Sequence, residues 1–283
     1  MAIGGILTAM VTPFGADGEI DEEAFVGLAR HLLDEGGSDG LVVAGTTGEG
    51  STMSDDEKCR LWELAVAESG DAPVIAGTGS NDTKHSAELT ERASALGVDA
   101  VLAVTPYYNR PNRRGLLAHF QAVAAATELP VVLYNIPQRS AVDMPNDLLR
   151  ELGEIDNVVA VKQARYEELE PIDGLITLAG NDDMLPDVLD MGGGGGILVA
   201  SHLAGREMRR MIDEPDSRHE IHESLKPLYQ ALTVAPAACS IKAAFGLLGR
   251  DVGAPRLPYV EVSEDEAATL RDALERQGLL SAV

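Results

Sequence analysis

Short β-branched apolar runs alternate along this chain with longer stretches whose apolar positions recur at helical spacing. The runs fall at 6–11, 41–44, 74–76, 101–104, 131–134, 158–161, 176–178 and 197–200. Nearly every position in them is apolar, the pattern of parallel strands buried on both faces rather than of strands with one wet face. Helical spacing covers 22–34, 55–69, 83–96, 115–127 and 146–152. Ser54 with Glu57 three residues on predicts a capping box, and Gly36, Gly70, Gly97 and Gly153 stand where helix C-caps are expected.

Eight strands with intervening helices predict an α/β fold, a closed (β/α)8 TIM barrel. An open doubly wound sheet would carry a glycine-rich phosphate loop after its first strand; Thr12-Pro13-Phe14 stands there instead. Beyond residue 205 the pattern is helical, at 205–213, 217–234, 236–248 and 263–277. The expected organisation is a barrel over 1–215 and a C-terminal helical extension over 216–283 packed on it. The glycine run at 192–196 lacks the Lys-Ser/Thr pair of a phosphate loop and is expected to be a close-packed turn before the eighth strand.

Charge and composition then remove whole classes of function. Acidic residues outnumber basic ones 46 to 22, for a net charge of −24. Such a chain repels phosphate backbones and anionic membrane surfaces, and Arg110, Arg113 and Arg114 form too small a patch to reverse that. Aromatics make up only 4% of residues, too few for base-stacking platforms. Cys59 and Cys239 are the only cysteines, which excludes a disulfide framework or a zinc site of clustered thiols. The histidines are scattered, and His219 and His222 are expected on a solvated helix face, so no metal site is expected. No apolar run has membrane-spanning length and the N-terminus lacks the charged region of a signal peptide. The expectation is a soluble cytoplasmic protein that binds neither nucleic acid nor membrane.

In a barrel, chemistry collects at the C-terminal ends of the strands. Those ends read Gly45-Thr46-Thr47-Gly48-Glu49, Gly77-Thr78-Gly79-Ser80, Thr105-Pro106-Tyr107-Tyr108-Asn109-Arg110-Pro111, Tyr134-Asn135-Ile136-Pro137-Gln138-Arg139, Lys162-Gln163-Ala164 and Gly180-Asn181-Asp182. The chain has five lysines, and four of them, Lys58, Lys84, Lys226 and Lys242, fall in or beside predicted helices where a solvated ammonium is expected. Lys162 instead closes an apolar strand. Desolvation there lowers an amine's pKa and makes it a nucleophile toward a carbonyl. The alternative is a structural lysine paired with a carboxylate such as Asp182 or Glu49. Tyr134, at the end of the neighbouring strand, supplies a phenol for the proton transfers that a Schiff base requires. Thr46 and Thr47 add hydroxyls, and Gly45 and Gly48 let backbone N–H groups approach a small carboxylate.

These strand-end motifs resemble the class I pyruvate aldolase family typified by 4-hydroxy-tetrahydrodipicolinate synthase and N-acetylneuraminate lyase, from Gly5 to Leu279. Tyr107-Tyr108-Asn109-Arg110-Pro111 and Arg139 are similar to its dipicolinate synthase branch. The resemblance implies lyase chemistry in lysine and diaminopimelate biosynthesis: condensation of pyruvate, held as a Schiff base on Lys162, with L-aspartate 4-semialdehyde. It implies Tyr134 as proton donor and acceptor, and Thr46 and Tyr108 as a relay, Tyr108 reaching in from a neighbouring subunit. Thr47, the Ile197 backbone and Gly180 would hold pyruvate, and Arg139 the carboxylate of the second substrate. It further implies no cofactor beyond the covalent Schiff base and a homotetramer built as a dimer of dimers. Two departures stand out. Arg165-Tyr166 replaces the family's usual Ser/Thr-Gly after Lys162-Gln163-Ala164, which keeps other pyruvate-dependent aldolases as alternatives, beside a non-catalytic barrel that binds a keto acid. At the positions of the family's lysine-feedback site, Asp55, Lys58 and His85 replace the usual residues while Asn81 and Tyr107 are retained, which implies weak or absent inhibition by L-lysine.

Overall fold

The computed structural model describes residues 3–280. Eight parallel strands, β1 (Gly5–Ala9), β2 (Gly40–Val43), β3 (Val74–Gly77), β4 (Ala100–Val104), β5 (Val131–Asn135), β6 (Val158–Gln163), β7 (Ile176–Ala179) and β8 (Gly195–Leu198), pair in sequence order and close β8 onto β1. This is the TIM barrel expected from the alternation of runs. The helices between strands are α1 (Glu22–Arg30), α2 (Asp55–Glu68), α3 (Thr83–Ala95), α4 (Arg113–Ala125), the one-turn α5 (Pro137–Ser140), α6 (Asn146–Leu152) and α7 (Leu185–Asp190). After β8 come α8 (Ser201–Asp213), α9 (Arg218–Ala231), α10 (Ala237–Leu247) and α11 (Glu264–Arg276).

Strand parity decides what lies inside the barrel, because successive side chains point to opposite faces. Leu7, Val42, Ile75, Leu102, Val132, Ala160, Leu178 and Ile197 fill the interior, while their neighbours Ile6, Val43, Ala76, Val101, Leu133 and Val161 pack outward under the helices. Lys162 is two residues beyond Ala160 and Tyr134 two beyond Val132, so both inherit the inward face at the C-terminal rim. Local signals behave as expected at several helix starts. Ser54 and Glu57 make the predicted capping box, and Ser263 with Glu266 makes another on α11. The Trp62 indole N–H donates to the Val43 carbonyl at 3.2 Å and ties α2 to its strand.

Several expectations need correction. The last strand begins at Gly195, not 197, and ends at Leu198. The glycine run is therefore half turn and half strand: Gly192 makes the turn at φ +85° and Gly195 and Gly196 pair with β1. Glycines carry no hydrophobic signal, so the strand was invisible at its start. Helix α8 begins at Ser201 rather than 205; its backbone breaks at Ala204 (φ −129°, ψ 27°), and only the part beyond that break was predicted. The 22–34 helix ends at Arg30 and widens into a π-turn over His31–Glu35. Helices α5 and α7 were not predicted, being too short to show a period. His222 is buried rather than solvated, with its ring centroid 5.8 Å from that of Tyr229, whereas His219 is exposed and meets Asp190 at 2.7 Å.

Barrel closure requires glycine at position 195. Its φ is +123°, and a Cβ there would lie 2.1 Å from the Gly5 carbonyl oxygen of the adjoining strand. Gly195→Ala therefore combines backbone strain with overpacking, each costing about 1–3 kcal/mol. Chemical denaturation should show a loss of about 2 kcal/mol or more; parental stability would contradict this account of closure.

Candidate active site

Lys162 is 5% exposed and Tyr134 6%. They are register partners on β6 and β5, and the Lys162 Nζ stands 4.2 Å from the centroid of the Tyr134 ring. The next residues hold this pair in place. The Asn135 side-chain amide donates to Gln163 Oε1 at 3.1 Å and to the Met144 carbonyl at 3.0 Å, and its Oδ1 accepts from the Met144 N–H at 3.1 Å. Gly180 N–H donates to the Gln163 carbonyl at 2.7 Å, so β5, β6 and β7 are linked just past the two functional groups.

Burial sets the ionisation of the site, because low dielectric penalises whichever form is charged. It pushes the Lys162 ammonium down to about 7; the Asp182 carboxylate pulls the other way and the Arg139 guanidinium reinforces the drop. It pushes the Tyr134 phenol up to about 12, against the pull of Arg139. Near neutrality the amine is thus available as a free base beside a phenol that keeps its proton. Asp182, at the end of β7, is raised to about 6, by burial and against two backbone N–H donors. Its Oδ1 accepts from Val199 N–H at 2.9 Å and Ala200 N–H at 3.0 Å, which pins the turn after β8. The carboxylate therefore serves the backbone, with no ion pair to Lys162. Glu49, the other carboxylate weighed as a partner for Lys162, pairs instead with Lys242 at 2.8 Å. Lys242 is buried, which corrects its expected place on a solvated helix face. The mispairing was unavoidable from sequence, since the two residues meet only through the fold.

A cavity of about 590 Å³ opens at this rim. Thr46, Tyr134 and Arg139 share its wall with Ala44, Gly45 and Ile136. Lys162, Thr47, Ile197 and Gly180 are not among the lining residues. Lys162, Thr47 and Ile197 are buried, whereas Gly180 is half-buried, and a Cβ on it would meet the Gln163 carbonyl oxygen at 2.7 Å. Tyr108 is not brought to the site within this chain. It is 88% exposed and held at φ +72°. Tyr107 and Tyr259 extend the cavity outward, and Tyr259, from the connection between α10 and α11, carried no chemical signal in the sequence. Among the described residues no cluster of three or more His, Cys, Asp or Glu side chains is arranged to hold a metal ion.

The dihydrodipicolinate synthetase family model matches residues 2–277. The chain belongs to that family. The 4-hydroxy-tetrahydrodipicolinate synthase of Bacillus subtilis is 43% identical over 97% of this chain and 99% of its own. The dihydrodipicolinate synthase of Bacillus anthracis superposes with a TM-score of 0.91 at 39% identity, over 97% of this chain and 98% of its own. That of Acinetobacter baumannii, solved complexed with pyruvate, superposes with a TM-score of 0.94 at 32% identity, over 99% and 100%. The resemblance drawn from the strand-end motifs is therefore correct, as is the fold it implied.

The outer part of the cavity contains the residues that depart from the family's lysine-feedback pattern. The His85 Nε2 meets Asp55 at 2.9 Å, and the Lys58 ammonium stands 3.6 Å from the same carboxylate. An incoming lysine ammonium would find Asp55 already engaged and a fixed positive charge beside it, a like-charge juxtaposition that opposes binding. Steady-state assays should show no half-inhibition at submillimolar L-lysine; half-loss of activity in that range would contradict this.

Proposed function

We propose that this chain condenses pyruvate with L-aspartate 4-semialdehyde, as a 4-hydroxy-tetrahydrodipicolinate synthase of cytoplasmic lysine and diaminopimelate biosynthesis. The observation that carries this reading is the buried Lys162 amine over the face of Tyr134, at the mouth of a barrel whose family runs this chemistry. The neutral amine adds to the keto carbon of pyruvate, and loss of water gives the imine. Tyr134 donates the proton that lets the carbinolamine oxygen leave as water. The Tyr134 phenolate left by that donation takes a methyl proton, which turns the imine into an enamine. Tyr134 returns that proton to the aldehyde oxygen of the second substrate as the enamine carbon attacks the aldehyde carbon. The amino group of that substrate then adds to the imine carbon, closes the ring and releases Lys162 as the free amine. One water leaves overall and no electrons are exchanged, so the cycle needs no cofactor beyond the Schiff base.

Thr46 and Tyr108 extend the path for protons from Tyr134. Tyr108, turned outward in one chain, is supplied to a neighbouring copy's site, which makes a dimer the minimal active unit and a dimer of dimers the expected assembly. Thr47, Gly180 and the Ile197 backbone hold the pyruvate. Arg139, on the cavity wall with Tyr134, takes the second substrate's carboxylate through the fork that a guanidinium offers and an ammonium does not. The departures at Arg165 and Tyr166 are engaged with carboxylates of their own surroundings. Arg165 is held by Glu168 at 2.9 Å and Asp143 at 3.5 Å, and the Tyr166 hydroxyl donates to Asp183 at 3.0 Å.

Borohydride reduction in the presence of pyruvate, followed by peptide mapping, should leave a stable adduct on Lys162. A folded protein without that adduct would remove the aldolase reading. The acceptor is tested separately: Arg139→Leu should raise KM for aspartate semialdehyde by about tenfold or more while pyruvate KM stays near parental. Equal changes in both constants would contradict the assignment of Arg139.

A further inference from the structure

The Gly45–Glu49 loop carries both threonines of the proposed site, yet it is held from outside the barrel strands. Local hydrogen bonds join Glu49 N–H to the Thr46 carbonyl at 3.1 Å, Gly50 N–H to the Gly45 carbonyl at 3.0 Å, the Thr12 hydroxyl to the Gly48 carbonyl at 2.8 Å, and the Thr52 N–H and hydroxyl to the Glu49 carbonyl, each at 2.9 Å. The turn also departs from ordinary backbone at both ends, with Ala44 at φ +57° and Glu49 at φ +59°. Conformations of that kind persist in non-glycine residues only where surrounding structure imposes them.

At the Glu49 end of the turn an ion pair reaches the C-terminal helices. Glu49 and Lys242 of α10 meet at 2.8 Å, with side chains 0% and 3% exposed. The second carboxylate oxygen of Glu49 accepts the Arg256 backbone N–H at 2.8 Å, and the Lys242 ammonium donates to the Ala254 carbonyl at 3.1 Å. Both cations also meet the Phe14 ring, whose centroid is 4.2 Å from Lys242 Nζ and 4.3 Å from the Arg256 guanidinium carbon. Arg256 continues outward to the Gly18 carbonyl at 2.7 Å and to Glu57 at 2.6 Å. The connection between α10 and α11 is thereby strapped across the β1 and β2 loops.

We propose that the Glu49–Lys242 pair, backed by the 254–256 strap, is a positioning device: it sets the Gly45–Glu49 turn so that Thr46 and Thr47 meet pyruvate correctly. This rests on the reading of the site given above. Lys242 touches no substrate and acts only through Glu49. A buried charge pair serves such a role well, because the pair cannot loosen without leaving a charge unpaired in low dielectric. Arg139 stands on β5's side of the cavity and has no link to the pair.

The test separates positioning from mere stapling of the C-terminal helices. The variant Glu49→Gln with Lys242→Met removes both charges at once, so neither is left buried alone. In the parent protein, the borohydride adduct on Lys162 is measured first; its absence overturns the pyruvate chemistry itself and this proposal with it. Given that adduct, the folded double variant should raise pyruvate KM by about tenfold, while KM for aspartate semialdehyde stays within about twofold. A lower melting temperature with both constants parental would overturn the positioning role. Should the double variant not fold, Lys242→Arg keeps the charge, but its planar fork cannot reproduce an ammonium's joint contact with Glu49 and the Ala254 carbonyl. The same selective rise in pyruvate KM is expected there, and parental constants would again overturn the proposal.

Discussion

Everything in this site depends on keeping one amine out of water. A lysine ammonium is strongly hydrated, and placing it at the end of an apolar strand penalises its charged form. The barrel enforces that placement by parity: Ala160 and Lys162 lie on the same face of β6, and Val132 and Tyr134 on the same face of β5. With Tyr134 covering the amine and no carboxylate paired to it, the uncharged form is within reach near neutrality. The same burial keeps the phenol protonated. One physical cause thus prepares a nucleophile and a proton donor side by side.

The rest of the molecule can be understood as what makes that burial stable. Closing the barrel at β8 and β1 demands backbones that nearly touch, hence glycine at 195 against Gly5 and glycine at 4 against the Gly194 carbonyl. The rim is then linked by polar groups rather than by apolar contact. Asn135 and Gln163 tie β5 to β6, Asp182 pins the turn after β8, and Glu49 with Lys242 ties the β2 turn to the C-terminal helices. These buried polar groups are the ones whose desolvation is offset by specific partners, as interior polar groups require.

Much of this was legible in the chain. Strand runs buried on both faces announce a parallel barrel, and reading only their C-terminal ends isolates Lys162, Tyr134, Thr46 and Arg139. Lys162 was legible because an amine closing Val158-Val159-Ala160-Val161 has no solvated explanation. Lys242 was not, because its charge sits in a stretch of helical period, and its partner Glu49 is reached only through the tertiary fold. His222 was misplaced for the same reason: its neighbours along the chain are charged, while the fold buries it against the Tyr229 ring. The start of β8 was hidden because glycine pairs in a sheet without contributing apolar pattern. Tyr108 belongs to a different category, since its expected role concerns a second copy of the chain.

The central claim is that burial, not an ion pair, sets the state of the Lys162 amine. The most direct test is an NMR titration of the lysine side-chain amines, with Lys162 assigned by its loss in Lys162→Arg. The account predicts that Lys162 titrates at about 7, well below the ordinary lysine range. A Lys162 titration in that same ordinary range, about 10, would contradict it and leave the nucleophile without its physical explanation.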